Sequence, residues 1–328
     1  MKNSEIIGTG QDTARRAPKI NTIMCGDCLV ESDKIESGSV DFVLTDLPYG
    51  TVGESMQDNT GKYKRINESC WDNIVPTEKV MKISNRILRK NGKMILFSQQ
   101  PFTTELISNS IPNLPYNYTI FWDKLHFANC LGANKACVNY VEECLLFSKT
   151  HDLERTHPLI DYFMLELKKT EKKQSGINKL LGNNMGGHYF TNGVQFCIPT
   201  EGNYLKLQST GFFNKPYQEI KIIDEEYKAI FSSTFNLWEG NKYKSNILRY
   251  KKDYDGYHPT QKPVLLLEDL IKTFSSMGDL VVDLTMGSGS TIVACINTGR
   301  NYIGIEKEEK YCRIAEERIH ALRSPAQK

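Results

Sequence analysis

Apolar positions along the chain follow two rhythms. The run Ile20-Asn21-Thr22-Ile23-Met24-Cys25 ends at Gly26-Asp27 and reads as a strand. Val40-Asp41-Phe42-Val43-Leu44-Thr45 reads as a buried strand that ends at Asp46-Leu47-Pro48-Tyr49-Gly50. From about Thr77 to Arg89, Val80, Ile83, Ile87 and Leu88 recur at helical spacing, and Asn91-Gly92 stops that pattern. Further strands are expected over Lys93 to Ser98, Tyr118 to Trp122 and Cys144 to Ser148. The rhythm resumes near the C-terminus. An amphipathic helix is expected over Pro263 to Phe274, a strand over Leu280-Val281-Val282-Asp283, and a helix from Thr291 to Asn297 after a Gly-rich turn. A strand from Tyr302 to Glu306 and a last helix from Glu308 to Leu322 follow. The last helix carries Tyr311, Ile314, Ala315 and Ile319 on its apolar face.

Strands alternating with helical crossovers predict an α/β protein with a mostly parallel sheet and helices on both faces. The stretch from His151 to Lys252 breaks this rhythm. It is rich in Lys, Tyr, Phe and Asn and begins with a helical pattern of Leu159, Tyr162, Phe163, Leu165 and Leu167. A short second helix, Gly176 to Leu181, closes at Gly182-Asn183. The organisation is therefore a tail over residues 1–19, a core built from 20–150 and 253–328, and an inserted region over 151–252.

Composition narrows the class. The 328 residues are 40% hydrophobic and 24% charged, which suits one large soluble domain with an insertion. Lys+Arg number 41 against 39 Asp+Glu, a net charge of +2, which excludes binding to nucleic acid by bulk attraction alone. Residues 151–252 hold 15 Lys+Arg against 11 Asp+Glu, so the surplus lies in the insertion. No apolar stretch approaches the ~20 residues that span a membrane. The N-terminus lacks an apolar leader core. The nine cysteines are irregularly spaced, with Cys25 and Cys28 as the one CxxC, so reduced thiols in a cytoplasmic protein are expected.

Two places carry chemistry. In Asp283-Leu284-Thr285-Met286-Gly287-Ser288-Gly289-Ser290-Thr291, a strand ends in a carboxylate and a Gly-Ser-Gly turn opens a helix. Glycines let the backbone approach a ligand, and the helix start favours an anionic group. A plain tight turn is the alternative for Gly-x-Gly by itself. Glu306, closing the next strand, can take both hydroxyls of a ribose, so the pair points to a nucleoside cofactor. The second place is Asp46-Leu47-Pro48-Tyr49, at the end of a strand, where open α/β sheets put their sites. An Asp and a neighbouring carbonyl can accept two hydrogen bonds from a planar amino group, and Tyr49 can stack on the ring that bears it. A Pro-initiated turn with a surface Tyr is the bland reading.

These two segments resemble the DNA amino-methyltransferases, whose motifs are (Asp/Asn/Ser)-Pro-Pro-Tyr and Asp-Pro-x-x-Gly-Ser-Gly-(Ser/Thr)-Thr. His258-Pro259-Thr260-Gln261-Lys262-Pro263 resembles the family's His-Pro-Thr-x-Lys-Pro segment. The order of catalytic motif, insertion and cofactor motif is similar to the permuted β group, over about residues 20–150 and 253–325. Leu47 stands where the family has its first Pro, and Leu284-Thr285 where Pro-Phe is more usual.

The resemblance implies a Rossmann-like S-adenosylmethionine-dependent methyltransferase fold with a mainly helical target-recognition insertion. Asp283, Gly287, Ser288 and Gly289 would hold the methionine end of S-adenosylmethionine, Thr260 and Lys262 its carboxylate, and Glu306 its ribose. Asp27 would lie near the adenine, or else cap a helix before Cys28. Asp46 and the Leu47 carbonyl would accept from the target amino group, with Pro48 shaping the turn and Tyr49 stacking on a flipped base. Residues 51–70 read either as a closing loop or as ordinary surface. Trp122 reads as core rather than a base platform. In the insertion, the segment from Leu159 to Leu181 resembles a helix-turn-helix. Lys168, Lys169, Lys172, Lys173, Lys179 and His188, with Tyr189 and Phe190, would face double-stranded DNA; a scaffold with a solvated charged face is the alternative. No metal site is assigned. The activity implied is adenine-specific DNA methylation, with the 4-amino group of cytosine, or a catalytically dead DNA-binding regulator, as alternatives. The setting implied is the cytoplasm of a bacterial or phage-infected cell, with room for a cognate restriction endonuclease and a homodimer.

Overall fold

Alternation from Phe42 to Leu44 sends Phe42 and Leu44 to one core and Val43 to another, and an irregularity between Val40 and Phe42 puts Val40 with Val43. A strand buried on both faces must sit inside a sheet covered on both sides. The computed structural model has that architecture, and it describes residues 20–48, 75–128, 134–135, 137–151, 157–192, 195–230, 232–258 and 260–323. Tyr49 and residues 51–70, which the sequence reading singles out, lie outside the described residues.

The first half of the chain contributes β1 (Thr22–Cys25), α1 (Cys28–Glu31), β2 (Val40–Thr45), α2 (Thr77–Ile87), β3 (Leu88–Ser98), α3 (Phe102–Ser108), β4 (Tyr116–Ala128) and β5 (Asn139–Ser148). Helices α4 (Ile160–Lys169), α5 (Gln174–Leu181), α6 (Gly186–Tyr189), α7 (Glu201–Gln208) and α8 (Tyr217–Ile230) follow. The chain then makes β6 (Ile247–Arg249), α9 (Val264–Phe274), β7 (Leu280–Asp283), α10 (Ser290–Thr298), β8 (Asn301–Glu306) and α11 (Glu309–Arg323). No helix among the described residues is long and apolar enough to cross a membrane.

The strands form one sheet in the order β1-β8-β7-β2-β3-β5-β4-β6. It is parallel except where β5 pairs with β3 and β4. One face packs on α9, α10 and α11 through Leu266, Leu270, Ile292 and Ala315. The other packs on α2 and α3 through Val80, Met81, Ile87, Phe102 and Leu106. This is the Rossmann-like arrangement expected.

Three local expectations change. The helix expected up to Arg89 ends at Ile87, and Asn91-Gly92 lies inside β3. Asn91 takes a left-handed φ of 62° there, and Arg89 turns inward to pair with Asp41 of β2. The end of the inserted region, Ile247–Arg249, is a sheet strand beside β4. Finally, two of the cysteines expected to be reduced are joined: Cys25 of β1 and Cys312 of α11 form a disulfide, with Cα atoms 6.1 Å apart. Spacing hides this pairing because 287 residues separate the two, and only the packing of α11 beside β1 brings them together.

Helices α4 to α8 bury a third cluster, centred on Phe163, Ile177, Leu181, Tyr189, Phe190, Tyr204 and Phe213, separate from the two that flank the sheet. Tyr189 and Phe190, expected to face DNA, are buried in it. Their rings fill the helical unit because it has no sheet to pack on, and Tyr189 Oη accepts from Asn203 at 2.9 Å.

Close packing behind the Gly-rich turn depends on Gly304 of β8. A Cβ there would press on Met286 Sδ and come within 2.9 Å of Ile292 Cδ1. Gly304→Ala should therefore overpack this layer and lower stability by about 1–3 kcal/mol. Urea unfolding checks this, through a midpoint below that of the wild type.

Candidate active site

Parallel pairing puts the C-terminal ends of β2 and β7 at one edge, with Phe42 opposite Val281 and Val43 opposite Val282. Asp46-Leu47-Pro48 leaves β2 there, and the Asp283 to Gly289 turn leaves β7 beside it. The two segments are bonded directly. Thr285 Oγ1 donates to the Asp46 carbonyl at 2.8 Å and lies 2.8 Å from Thr45 Oγ1. Thr285 holds the position where the related motif more usually has Phe, so the motif gave it no role.

The turn is shaped by two glycines. Gly287 and Gly289 have φ of 52° and 82°, a region that side chains strain. A Cβ at Gly289 would also lie 2.8 Å from Ala315 Cβ of α11. Gly287 N donates to Glu306 Oε2 at 2.9 Å, and Glu308 N donates to Glu306 Oε1 at 2.8 Å, so two backbone groups fix the carboxylate closing β8. Arg318 donates to the Ser288 carbonyl at 2.8 Å and to Ser290 Oγ at 3.2 Å, bracing the turn from α11.

Together these segments enclose a cavity of about 360 Å³. Asp27, Asp46, Leu47, Pro48, Thr260, Lys262, Asp283, Gly287, Ser288 and Glu306 all line it. Gly289, the last residue of the turn, does not. Asp27 accepts from Leu29 N at 2.9 Å as the cap of α1 and has Lys307 Nζ at 3.6 Å. Capping therefore coexists with a place on the cavity wall. Thr260 bonds His258 Nδ1 through its hydroxyl at 3.1 Å, and the His258 ring packs on Tyr311 with centroids 4.4 Å apart. Burial, helped by Lys262 and Lys310, pushes the His258 imidazole down to about 4, so it is neutral at physiological pH.

Lys262 lines the cavity and also has partners that the resemblance did not indicate. Its ammonium, which the resemblance assigns to a cofactor carboxylate, pairs here with two carboxylates of the protein, Asp46 and, at 2.9 Å, Glu142 Oε1. Sequence reasoning missed Glu142 and its neighbour Lys124. A signal was present: Glu142 alternates with Cys144 and Leu146, and Lys124 with Ile120 and Trp122, so each charge points into an apolar face. Trp122 is fully buried, as the core reading has it, and donates from Nε1 to the Tyr250 carbonyl at 2.8 Å.

The basic residues of the insertion stand apart from the cavity. Lys168, Lys169, Lys172, Lys173 and Lys179 are exposed and His188 is half-buried. Lys169 pairs with Glu166 at 2.5 Å. Helices α4 and α5 meet through residues 170–173, and Gly176 lies inside α5, which begins two residues before the expected start.

The family model described as DNA methylase matches residues 40–317, most of the chain. Among curated relatives, the type II methyltransferase M.HinfI of Haemophilus influenzae is 24% identical over 318 residues, 93% of this chain and 69% of that one. DNA adenine methyltransferase YhdJ of Escherichia coli strain K12 is 25% identical over 313 residues, 95% of this chain and 86% of that one. Among solved structures, the PvuII DNA methyltransferase, described as cytosine-N4-specific, shares the fold with a TM-score of 0.53 at 13% identity, covering 92% of this chain and 86% of that one.

Asp283 gives a pH test of the site. Burial pushes its carboxyl up to about 6, against the pull of bonds from Thr291, Thr285 N and Thr45. Its proton is then held more tightly in the folded than in the unfolded chain. Stability should fall as pH rises from near 4 through about 6, by up to about 3 kcal/mol from this group. Asp283→Asn should remove that loss. Urea unfolding of both proteins should show them converging near pH 4, with the variant more stable at pH 7.

Proposed function

The chain belongs to the DNA methylase family, and we propose that it is a site-specific DNA methyltransferase moving a methyl group from S-adenosylmethionine to the 6-amino group of adenine. One observation carries this reading. The Asp46 segment and the Asp283 to Gly289 turn leave adjacent strands and are tied by the bond from Thr285 to Asp46. A group held at the turn and a group held at Asp46 therefore meet in one cavity. The order of catalytic motif, insertion and cofactor motif supports the permuted β group. Asp at the head of the motif, and alignment with YhdJ over 95% of the chain, favour adenine.

The residues fit such a donor. The volume lies in the range of roughly 300–1,000 Å³ common to small-ligand sites. Among the described residues, no Lys or Arg pairs with Asp283, so its buried carboxylate suits a cationic amino-acid end. Gly287 and Ser288 give that end backbone to lie against, Thr260 offers a hydroxyl to its carboxylate, Glu306 takes the ribose hydroxyls, and Asp27 borders the adenine. S-adenosylmethionine, when bound, supplies a methyl group on a cationic sulfur, reactive enough that the protein contributes mainly placement.

An exocyclic amino nitrogen is a weak nucleophile because its lone pair delocalises into the ring. Asp46 has several lone pairs and can accept one amino N–H while still bonded to Lys262. The Leu47 carbonyl accepts the other, as the family's Pro carbonyl would. Both bonds favour a tetrahedral nitrogen whose lone pair is free to attack. A base stacked in duplex DNA cannot reach the cavity, so the target is extruded, with Tyr49 stacking on it. Double-stranded DNA, met in the cytoplasm, is then the partner. The separately packed helices carry target recognition, with Lys168, Lys169, Lys172, Lys173, Lys179 and His188 toward the phosphates.

Asp46→Ala should lower turnover by about 10²–10³-fold, the usual loss on removing a hydrogen-bonding group from a reacting centre. Affinity for S-adenosylmethionine should stay near that of the wild type. Transfer of a labelled methyl group to unmethylated genomic DNA, followed by nucleoside digestion, checks both residue and base; label confined to cytosine would overturn the adenine reading. Replacing Lys168, Lys169, Lys172 and Lys173 together by Gln should weaken DNA binding and flatten its dependence on salt by ~0.9 in log–log slope for each phosphate no longer neutralised. Binding isotherms across salt concentration measure this, and an unchanged slope would remove these lysines from the interface.

A further inference from the structure

A second group of side chains reaches Asp46. Lys262 Nζ lies against Asp46 Oδ2 and 2.9 Å from Glu142 Oε1, while Glu142 Oε2 is 3.5 Å from Lys124 Nζ. The four come from the end of β2, the segment before α9, β5 and β4. The side chains of Lys262, Glu142 and Lys124 are only 10%, 8% and 2% exposed. Lys262 also stands 5.0 Å over the Phe97 ring, and Lys124 5.8 Å from that of Trp122.

Stability alone does not account for this arrangement. Burying an ammonium or carboxylate costs several kcal/mol, and a well-packed apolar set in its place is often as stable or more so. The four charges alternate in sign and cancel. Burial works against charge on Lys262, but Asp46 and Glu142 outweigh it and hold the ammonium above its ordinary value. Burial likewise opposes charge on Glu142, but Lys262 and Lys124 outweigh it and hold the carboxyl low. A lysine alone would be a poor clamp, because its ammonium is a point charge on a flexible four-carbon stem. Glu142 removes that freedom, and Lys124 anchors Glu142 in turn.

We propose that Lys262 is a positioning residue that fixes the carboxylate of Asp46, and that Glu142 acts through Lys262 to hold it there. This rests on the reading of Asp46 as the acceptor for the target amino group. Neither residue touches the reacting atoms. Their part is to keep the carboxylate within the narrow placement that transfer requires, where an error near 1 Å can cost ~10²-fold.

The test compares the wild type with Lys262→Met, Glu142→Gln, the double variant and Lys262→Arg. Turnover is measured on unmethylated genomic DNA at saturating S-adenosylmethionine, and cofactor affinity by equilibrium titration. Lys262→Met should lower kcat by about 100-fold and Glu142→Gln by about 10-fold, through displacement of the carboxylate. Cofactor affinity should stay within about twofold in both, since neither side chain binds the cofactor in this reading. The double variant should be no slower than Lys262→Met alone, because both act through one group. Lys262→Arg, which keeps the charge, should recover part of the loss. Weakened cofactor affinity with unchanged kcat would overturn the proposal and return Lys262 to the cofactor's carboxylate. Additive losses in the double variant would overturn the coupling through Glu142. If Lys262→Met does not fold, the isosteric Glu142→Gln carries the kcat test. A wild type that transfers nothing to DNA removes the premise before any variant is compared.

Discussion

The site depends on the pairing of β2 with β7. Two segments more than 230 residues apart in sequence are brought to one sheet edge by parallel register, then tied by the hydroxyl of Thr285 on the carbonyl of Asp46. Parallel strands end together, and a ligand site forms beyond those ends. The long stretch between the two motifs is tolerated because it leaves from β5 and rejoins as β6 beside β4, both away from the β2–β7 seam. The chain then returns along residues 250–263, bringing His258, Thr260 and Lys262 to the cavity before α9 begins. A connection crossing the seam itself would have disturbed the one distance that methyl transfer cannot relax.

Four of the cavity's carboxylates are treated in two ways, apart from the more exposed Asp27, which has Lys307 at 3.6 Å. Asp46 and Glu142 are compensated by the protein's own cations, Lys262 and Lys124. Asp283 and Glu306 are held by backbone N–H groups and hydroxyls, and among the described residues neither pairs with a Lys or Arg. Burial raises both of the latter above the ordinary carboxylate range. One side of the cavity is thus electrostatically closed, which suits a neutral base presenting an amino group. The other side is left to be completed by a ligand carrying positive charge and hydroxyls. The two halves match the two substrates of the proposed reaction. In that reading the lysine of the His258 to Pro263 segment belongs with Asp46 and Glu142, to which it is paired.

Much of this was legible in the sequence, because it is local. Buried strands such as Val40 to Thr45 declare themselves by composition, and the Gly-Ser-Gly turn needs glycines at left-handed positions wherever it occurs. What was not legible depends on partners far along the chain. The antiparallel placement of β5 between β3 and β4 follows from no periodicity. Helix α3 is short, and α1 depends on a cap by Asp27 that local sequence could only pose as an alternative. The Cys25–Cys312 pair needs α11 to lie beside β1. Tyr189 and Phe190 look like contact residues next to His188, yet a unit without a sheet must fill its core with whatever aromatics its short helices carry. Glu142 and Lys124 were visible as charges in apolar alternation, but the reason for burying them appears only when Lys262 arrives between Asp46 and Glu142.

That same separation bears on the charge balance. The whole chain carries +2 and residues 151–252 carry +4, so the rest carries −2. A slightly acidic catalytic core has little attraction for phosphates of its own, and its cavity is already lined by Asp27, Asp46, Glu142, Asp283 and Glu306. In the proposed reading, attraction for DNA is then supplied by a helical unit that packs around Phe163, Tyr204 and Phe213 without drawing on either core of the sheet. Because that cluster is separate from the two that flank the sheet, substitutions on the surface of the unit should leave the β2–β7 seam and the proposed Lys262 clamp undisturbed. A division of this kind lets the sequence that is read change while the chemistry performed on it stays the same.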